Sequence, residues 1–130
     1  MERSMLATAD LIAFVPTRNP QASRQFYEQI LGLKFISEDP FALVFSANGV
    51  TLRIANVSTV KDFKPAPFTI LGWQVPNAEQ ALRALHEKGI EFERFEGMNQ
   101  NASGIWRSPS GAQIAWFKDP DGNILSITEL

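Results

Sequence analysis

The sequence lacks cysteine altogether and has one histidine among its 130 residues. Without cysteine, the chain forms no disulfide and offers no thiolate to a metal ion. The net charge of −2 gives no electrostatic reason to bind nucleic acid or an anionic membrane. No apolar run approaches the ~20 residues needed to cross a bilayer, and residues 1–10 lack the apolar segment of a signal peptide. These absences predict a soluble, cytoplasmic protein without nucleic-acid or membrane partners.

The apolar residues that are present predict a packed core. Hydrophobic residues make up 45% of the sequence, which is the content of an ordinary globular protein rather than of a disordered chain. A chain of 130 residues is long enough to bury such a core and is typical of one domain. We therefore expect residues 1–130 to form a single domain.

A repeat divides the sequence into two similar halves. Asn19 is predicted to cap a helix that ends at Gly32, and Asn77 is predicted to cap a helix that ends at Gly89. The two caps are 77 − 19 = 58 residues apart, and the two glycines are 89 − 32 = 57 residues apart. This repeat predicts two copies of one small structural unit.

Short extended segments surround each predicted helix. An apolar strand precedes each helix, and a tight turn joins the last two strands of each half, at Asn48-Gly49 and at Asp121-Gly122. The order is therefore βαβββ twice, with module one at about residues 5–57 and module two at about 67–130. We expect an α+β fold in which about eight or nine strands form a curved, mostly antiparallel sheet with a central cleft. The strands are predicted at residues 11–15, 34–37, 41–46, 50–56, 68–75, 92–95, 105–108, 112–118 and 123–128.

Two short motifs resemble signatures of a known superfamily. Residues 26–33, Phe-Tyr-Glu-Gln-Ile-Leu-Gly-Leu, resemble the FYxxxLG sequence that ends the first helix in the vicinal oxygen chelate (VOC) superfamily. Residues 117–123, Phe-Lys-Asp-Pro-Asp-Gly-Asn, resemble the DPDGN turn of the same superfamily. Its members include glyoxalase I, extradiol dioxygenases and bleomycin resistance proteins. The resemblance therefore implies a glyoxalase-like fold but does not imply one function.

The resemblance also implies where a divalent metal ion would bind, on the first and last strands of each module. Counting seven residues back from each helix cap gives Ile12 and Ile70, and matching the two tight turns gives Arg53 and Ser126. Isoleucine has no lone pair, arginine is a fixed cation, and a serine hydroxyl is a poor ligand. The only histidine, His86, lies within the second predicted helix and is expected on the surface. We therefore expect no metal and no other cofactor.

A ligand site is predicted instead in the cleft between the modules. Strand alternation puts Ile12 and Phe14 on one face, and the repeat places the other candidates at equivalent positions. Arg53 is the predicted anchor for an anionic group, because a guanidinium binds a carboxylate or phosphate through two hydrogen bonds. The alternative for Arg53 is an ion pair with an internal acid such as Asp10. The six predicted lining residues are Ile12, Phe14, Arg53, Ile70, Trp106 and Ser126.

Three tryptophans are further candidates for a ligand surface. Trp73 and Trp116 are expected in the core or in a dimer contact. Trp106 is expected to face the ligand, because it follows a polar loop at residues 97–104 that is a candidate lid.

Two main functions are compatible with these features. The first is a metal-free, bleomycin-resistance-like protein that binds a small apolar or aromatic ligand with an acidic group. The second is a VOC-type enzyme, a lyase or dioxygenase with non-standard ligands or metal-independent chemistry, for which the sequence offers no nucleophile–base pair. A pure interaction module is a third alternative, and the resemblance also implies a homodimer. Metal-dependent glyoxalase or dioxygenase activity is the outcome that the sequence disfavours most.

Overall fold

The computed structural model of the protein describes residues 5–130. The chain forms two compact units that divide between Thr59 and Val60. The first unit corresponds to predicted module one and the second to module two. Residues 60–66, which lie between the two predicted modules, therefore belong to the second unit.

Module one contains one helix and four strands in the predicted order. Strand β1 (Ile12–Thr17) leads into helix α1 (Pro20–Gln25), which continues as a π-helical turn (Phe26–Ile30). The sheet order is β1-β4-β3-β2, with β1 parallel to β4 and the other neighbours antiparallel. A 3-10 turn, Met5–Ala7, precedes β1. The remaining strands are β2 (Lys34–Glu38), β3 (Ala42–Ala47) and β4 (Val50–Asn56).

Module two repeats this arrangement. Strand β5 (Thr69–Gln74) leads into helix α2 (Ala78–Glu87), and the sheet order β5-β8-β7-β6 matches that of module one. Again the first strand is parallel to the last and the other neighbours are antiparallel. The predicted α+β fold of two βαβββ modules is confirmed, but the eight strands in residues 5–130 form two four-stranded sheets and not one continuous sheet. The last three strands are β6 (Trp106–Arg107), β7 (Gln113–Lys118) and β8 (Ile124–Glu129).

One predicted strand, at residues 92–95, is wrong. A single backbone hydrogen bond from Glu93 N to Trp116 O, at 2.7 Å, joins this segment to β7. The aromatic residues at its two ends pack against different residues of β7, Phe92 against Phe117 and Phe95 against Trp116. Because charged residues lie beside both aromatic residues, neither face of the segment is continuously apolar, and no regular ladder forms.

Both helices begin and end where the sequence predicts. Asn19 Oδ1 accepts a hydrogen bond from the N–H of Ala22 at 3.2 Å, and Asn77 Oδ1 accepts one from the N–H of Gln80 at 2.9 Å. The left-handed glycines that follow have φ angles of 74° at Gly32 and 98° at Gly89. These caps confirm that the repeat in the sequence is a repeat of helix boundaries.

The buried side of α1 and its π-helical turn is formed by Ser23, Phe26 and Tyr27, and not by the apolar residues Ala22, Phe26 and Ile30 alone. Ser23 and Tyr27 are fully buried, whereas Ala22 and Ile30 are only half-buried. The Ser23 hydroxyl lies 2.7 Å from the Thr17 hydroxyl, and the Tyr27 ring centroid lies 6.2 Å from that of Phe45. The π-helical turn has wider spacing than an α-helix and shifts which residues meet the sheet.

Each module buries one face of its sheet beneath its helix. In module one, the core residues on this face are Val15, Leu43, Phe45, Leu52 and Ile54. In module two they are Ala115, Phe117, Leu125 and Ile127, and Trp73 stacks on Phe117 with ring centroids 6.4 Å apart. The core placement predicted for Trp73 fits this arrangement. Among the described residues, no helix is both long enough and apolar enough to cross a membrane.

Candidate functional site

The face of each sheet opposite its helix, called here the open face, carries most of the predicted site residues. In module one, the β1–β4 register pairs Phe14 with Arg53 and Ile12 with Thr51. Paired residues on neighbouring strands point to the same side of a sheet. Phe14 is 60% exposed and Ile12 is 53% exposed. Module one therefore presents a cation on β4 beside the uncovered side chain of Phe14 on β1, with Ile12 two residues away on the same strand.

Arg53 lies at the centre of this open face. It is half-buried, with Phe14 beside it on β1 and Val44 beside it on β3. Within residues 5–130, the structure shows no hydrogen bond or ion pair to its guanidinium, and in particular none to Asp10. The internal ion pair considered from the sequence is therefore not formed in this structure. All guanidinium N–H groups are left for another partner.

Asp39, in the turn between β2 and β3, is a carboxylate whose pKa is affected by the charge of Arg53. The N–H groups of Phe41 and Ala42 donate to Asp39 Oδ1 at 2.7 and 2.9 Å. These two bonds lower the pKa of Asp39 below its ordinary value of 3.8, and the positive charge of Arg53 adds a smaller lowering. Asp39 stays ionised near neutral pH, and its Oδ1 atom accepts the two hydrogen bonds of the turn.

In module two, Ser126 occupies the position equivalent to Arg53. It pairs with Gly72 on β5 and with Trp116 on β7. Ser126 is only 8% exposed, and a Cβ atom at residue 72 would collide with its hydroxyl oxygen. Ile70 lies at a register irregularity between Thr69 and Leu71 and is half-buried. The hydroxyl of Ser126 thus fills space that a side chain at residue 72 would otherwise take.

An aromatic cluster covers the rest of the open face of module two. The ring centroids of Trp106 and Trp116 are 6.2 Å apart, and those of Phe95 and Trp116 are 5.5 Å apart in an edge-to-face contact. Trp116 Nε1 donates to the Thr69 hydroxyl at 3.0 Å. All three aromatic residues are half-buried. The cluster of Phe95, Trp106 and Trp116 is therefore ordered by its own contacts and still offers apolar surface.

The sequence interpretation missed two members of this cluster. Trp116 was predicted in the core or a dimer contact; it lies on the open face of its own sheet, so the core placement is wrong and the dimer contact remains a prediction. The signal was present in the sequence, because Trp116 alternates with Ala115 and Phe117, which are both fully buried. Phe95 was missed because residues 92–95 were predicted as a strand, whereas this segment is irregular and packs Phe95 against Trp116.

The loop at residues 97–104, predicted as a candidate lid, is fastened at several points. Gln100 Oε1 accepts from Phe95 N at 2.8 Å, and Gln100 Nε2 donates to the carbonyls of Glu93 and Gly104 at 2.9 and 2.8 Å. Asn101 and Ser103 donate side-chain hydrogen bonds to Glu79 on α2, each at 3.0 Å. These contacts tie the loop to module two, so it has the structure of a fixed wall rather than of a free lid.

The residues at the implied metal positions do not fit a divalent cation. Ile12 and Ile70 have no donor atoms, and Arg53 is a cation. Among residues 5–130, no three His, Cys, Asp or Glu side chains are grouped so that they could hold a metal ion. His86 is exposed, as predicted, and its Nδ1 lies 3.3 Å from the carbonyl oxygen of Ile90.

The structure brings the predicted site residues together in two groups. Module one joins Ile12, Phe14 and Arg53, whereas module two joins Trp106 and Ser126 around Trp116, with Ile70 close by on β5. The single cleft that would unite all six residues remains a prediction.

Comparison with known proteins places this fold in a family. Residues 8–127 match the model of the Glyoxalase/Bleomycin resistance protein/Dioxygenase superfamily. The chain belongs to that superfamily. Among proteins of curated function, no sequence matches it.

Several solved structures share the fold at low sequence identity. A member of the same superfamily from Sphaerobacter thermophilus DSM 20745 is 22% identical, with a TM-score of 0.73 over 94% of this chain and 97% of that one. A lactoylglutathione lyase from Agrobacterium tumefaciens is 17% identical, with a TM-score of 0.71 over 94% and 93%. TnmS3, an antibiotic binding protein from Streptomyces sp. CB03234, is 16% identical, with a TM-score of 0.67 over 93% and 94%. This set contains both an enzyme and a binding protein, so the fold alone does not choose between them.

Proposed function

We propose that this protein binds a small apolar or aromatic compound with an acidic group, without a metal ion. The observation that carries the proposal is Arg53, a half-buried guanidinium without an internal ion pair in the described residues, between Phe14 and Val44. A partly desolvated cation beside apolar surface favours an anion that also has an apolar part.

The aromatic cluster of module two supports the apolar half of this proposal. Flat ligands pack well against tryptophan and phenylalanine rings in offset or edge-to-face arrangements. We propose that the cluster and the Arg53 face serve one ligand in the cleft predicted from the sequence. A cytoplasmic location and a homodimer belong to the same proposal and are based on the sequence and the family, respectively.

An enzyme of the VOC type is the less favoured alternative. The usual chemistry of such an enzyme needs oxygen or nitrogen atoms that bind a metal ion at the positions of Ile12, Ile70 and Arg53. Isoleucine has no such atom, and the nitrogens of a charged arginine do not bind a cation. Metal-independent chemistry would need a nucleophile beside a base. Lys118, the lysine of β7, forms an ion pair with Glu93 at 3.6 Å.

The test uses 1-naphthoate as a probe, with 1-naphthalenemethanol as its uncharged counterpart. We expect the acid to shift the backbone amide NMR signals of β1 and β4 and of β7 and β8, and the alcohol to bind more weakly. Arg53→Ala is expected to cost about 2 kcal/mol in naphthoate binding, the low end for truncating one member of a charge pair, because Arg53 is only half-buried.

The matched control is Arg107→Ala, which removes an exposed arginine from β6 in the other module. It should leave naphthoate binding unchanged. Equal affinity for acid and alcohol, or full naphthoate binding by Arg53→Ala, would contradict the proposed function.

A further inference from the structure

A cavity of about 390 Å³ lies in module two, between helix α2 and the segment that follows it. None of the six predicted site residues lines it. Its apolar lining comes from Leu82, Phe92 and Ala102, and its charged or titratable lining comes from the exposed residues Arg83, His86, Glu91 and Arg94 at its open side. The volume falls within the range of small-molecule sites, near its lower end, so a ligand of about ten non-hydrogen atoms is the appropriate size.

The walls of this cavity are held in place by hydrogen bonds. On one side, Glu79 of α2 accepts bonds from Asn101 and Ser103, each at 3.0 Å. On the other side, the guanidinium of Arg94 donates to the carbonyl oxygens of Gln100 and Ala102. The cavity is thus pre-formed, and a ligand would not need to order the loop.

The charge of the lining favours an anion. Arg83 has no hydrogen bond or ion pair within the part of the chain that the structure describes, and Arg94 bonds only to neutral carbonyls. Glu91 is the only acidic residue in the lining. His86 Nδ1 lies 3.3 Å from the Ile90 carbonyl, and because a carbonyl only accepts, this nitrogen donates and fixes the ring at the wall. Two arginines therefore face one carboxylate.

We propose that this cavity is a second small-molecule site, separate from the Arg53 face, and that it takes a small aromatic carboxylate. The carboxylate would bind Arg83 and the free N–H groups of Arg94, because a guanidinium matches a carboxylate in geometry and charge. The ring would pack on Leu82 and Phe92. A plain inorganic anion lacks this apolar contact, and an uncharged ring lacks the ionic one.

The test is a titration of the 15N-labelled protein with benzoate, inorganic phosphate and benzyl alcohol in separate NMR series. Benzoate should shift the amide signals of residues 82–94 and 102–103 with a Kd of about 1 mM, a typical affinity for a ligand of this size. Phosphate and benzyl alcohol should each bind at least about fivefold more weakly at the same signals, because each lacks one of the two contacts.

Variants separate this site from the Arg53 face. Arg83→Gln should weaken benzoate binding at residues 82–94 about tenfold, the effect of one charged hydrogen bond. Arg107→Gln, an exposed arginine outside the cavity, and Arg53→Ala should both leave these shifts unchanged. The proposal is overturned if benzoate shifts no signal of the lining, if phosphate binds there as well as benzoate does, or if Arg83→Gln has no effect. Loss of these shifts in Arg53→Ala would show that only one site exists.

Discussion

At residue 72, module two has a glycine where module one has Phe14, since 72 − 14 = 58 is also the spacing of the two helix caps. The hydroxyl of Ser126 lies over this glycine, as the side chain of Arg53 lies beside Phe14. At these two positions, module one therefore has an apolar side chain beside a cation, whereas module two has a glycine in close contact with a serine hydroxyl. Gly72 is required here by the close approach of Ser126, and not by a left-handed backbone.

The Gly72–Ser126 contact gives a prediction for stability. Gly72→Ala places a methyl group against the serine hydroxyl and should lower the free energy of unfolding by about 1–2 kcal/mol. In a Ser126→Ala background the obstruction is gone, so the same substitution should cost less than about 0.5 kcal/mol. Urea denaturation of the two single variants and the double variant measures the coupling. An additive result would show that the two side chains do not compete for this space.

Asp39 gives a prediction for pH dependence. Hydrogen bonds from the N–H groups of Phe41 and Ala42, and to a lesser extent the charge of Arg53, lower its pKa below 3.8. A lowered carboxyl pKa contributes stability that is fully present above the unfolded value and is lost as the pH falls through the folded value. Asp39→Ala should therefore destabilise the protein at neutral pH, with the difference disappearing in acid below pH 3.8.

The Asp39 prediction is measured by NMR titration of the carboxyl group and by thermal unfolding against pH. Arg53→Ala should raise the pKa of Asp39 only slightly, because the backbone bonds are the larger cause. A carboxyl group that titrates at or above 3.8 would contradict the description of this turn.

At the scale of elements, the loop at residues 97–104 depends on one glutamine. Gln100 forms three hydrogen bonds, to Phe95 N, Glu93 O and Gly104 O. Gln100→Ala leaves these backbone groups without that partner and should cost about 2–3 kcal/mol of stability. It should also raise amide hydrogen exchange throughout the loop.

The matched control for the loop is Asn99→Ala, at the exposed neighbour. It should change stability by less than about 0.5 kcal/mol. Similar losses in the two variants, measured by urea denaturation, would show that the loop does not depend on the Gln100 side chain.

The sequence predicts those elements that depend on local rules. The caps at Asn19 and Asn77 and the left-handed turn at Asn48-Gly49, with φ angles of 49° and 85°, follow from single residues and their neighbours. The π-helical turn after α1 could not be predicted, because the local sequence pattern does not distinguish it from a continued α-helix. The placement of Phe95 likewise depends on a contact with Trp116 that the local pattern does not encode.

Part of the candidate site was predictable because it also depends on a local rule. Strand alternation correctly placed Ile12 and Phe14 on one face, because the side-chain period of a strand is two, and Arg53, placed by the repeat, lies on that same face. Whether Arg53 has an internal ion pair depends on the positions of distant carboxylates such as Asp10, which the sequence does not reveal. The cavity beside α2 was not predictable, because it depends on how a loop of irregular structure folds back on a helix.

At the scale of the whole molecule, two modules with the same strand order carry different chemistry. Module one presents a cation with apolar neighbours, and module two presents an aromatic cluster beside a nearly buried serine. Neither module provides the donor atoms that a divalent metal requires at the implied positions. We therefore propose that the duplicated fold serves here for binding a small organic anion and not for metal chemistry.

Native mass spectrometry of the protein, purified without chelator, tests this central claim most directly. It separates the bare chain, the chain with an organic ligand and the chain with a metal ion in one spectrum. We predict that added 1-naphthoate gives a bound species in the unmodified protein and much less in Arg53→Ala, with no divalent metal near one per chain. A metal ion at about one per chain, or equal naphthoate binding with and without Arg53 in an Arg83→Gln background, would contradict the proposal.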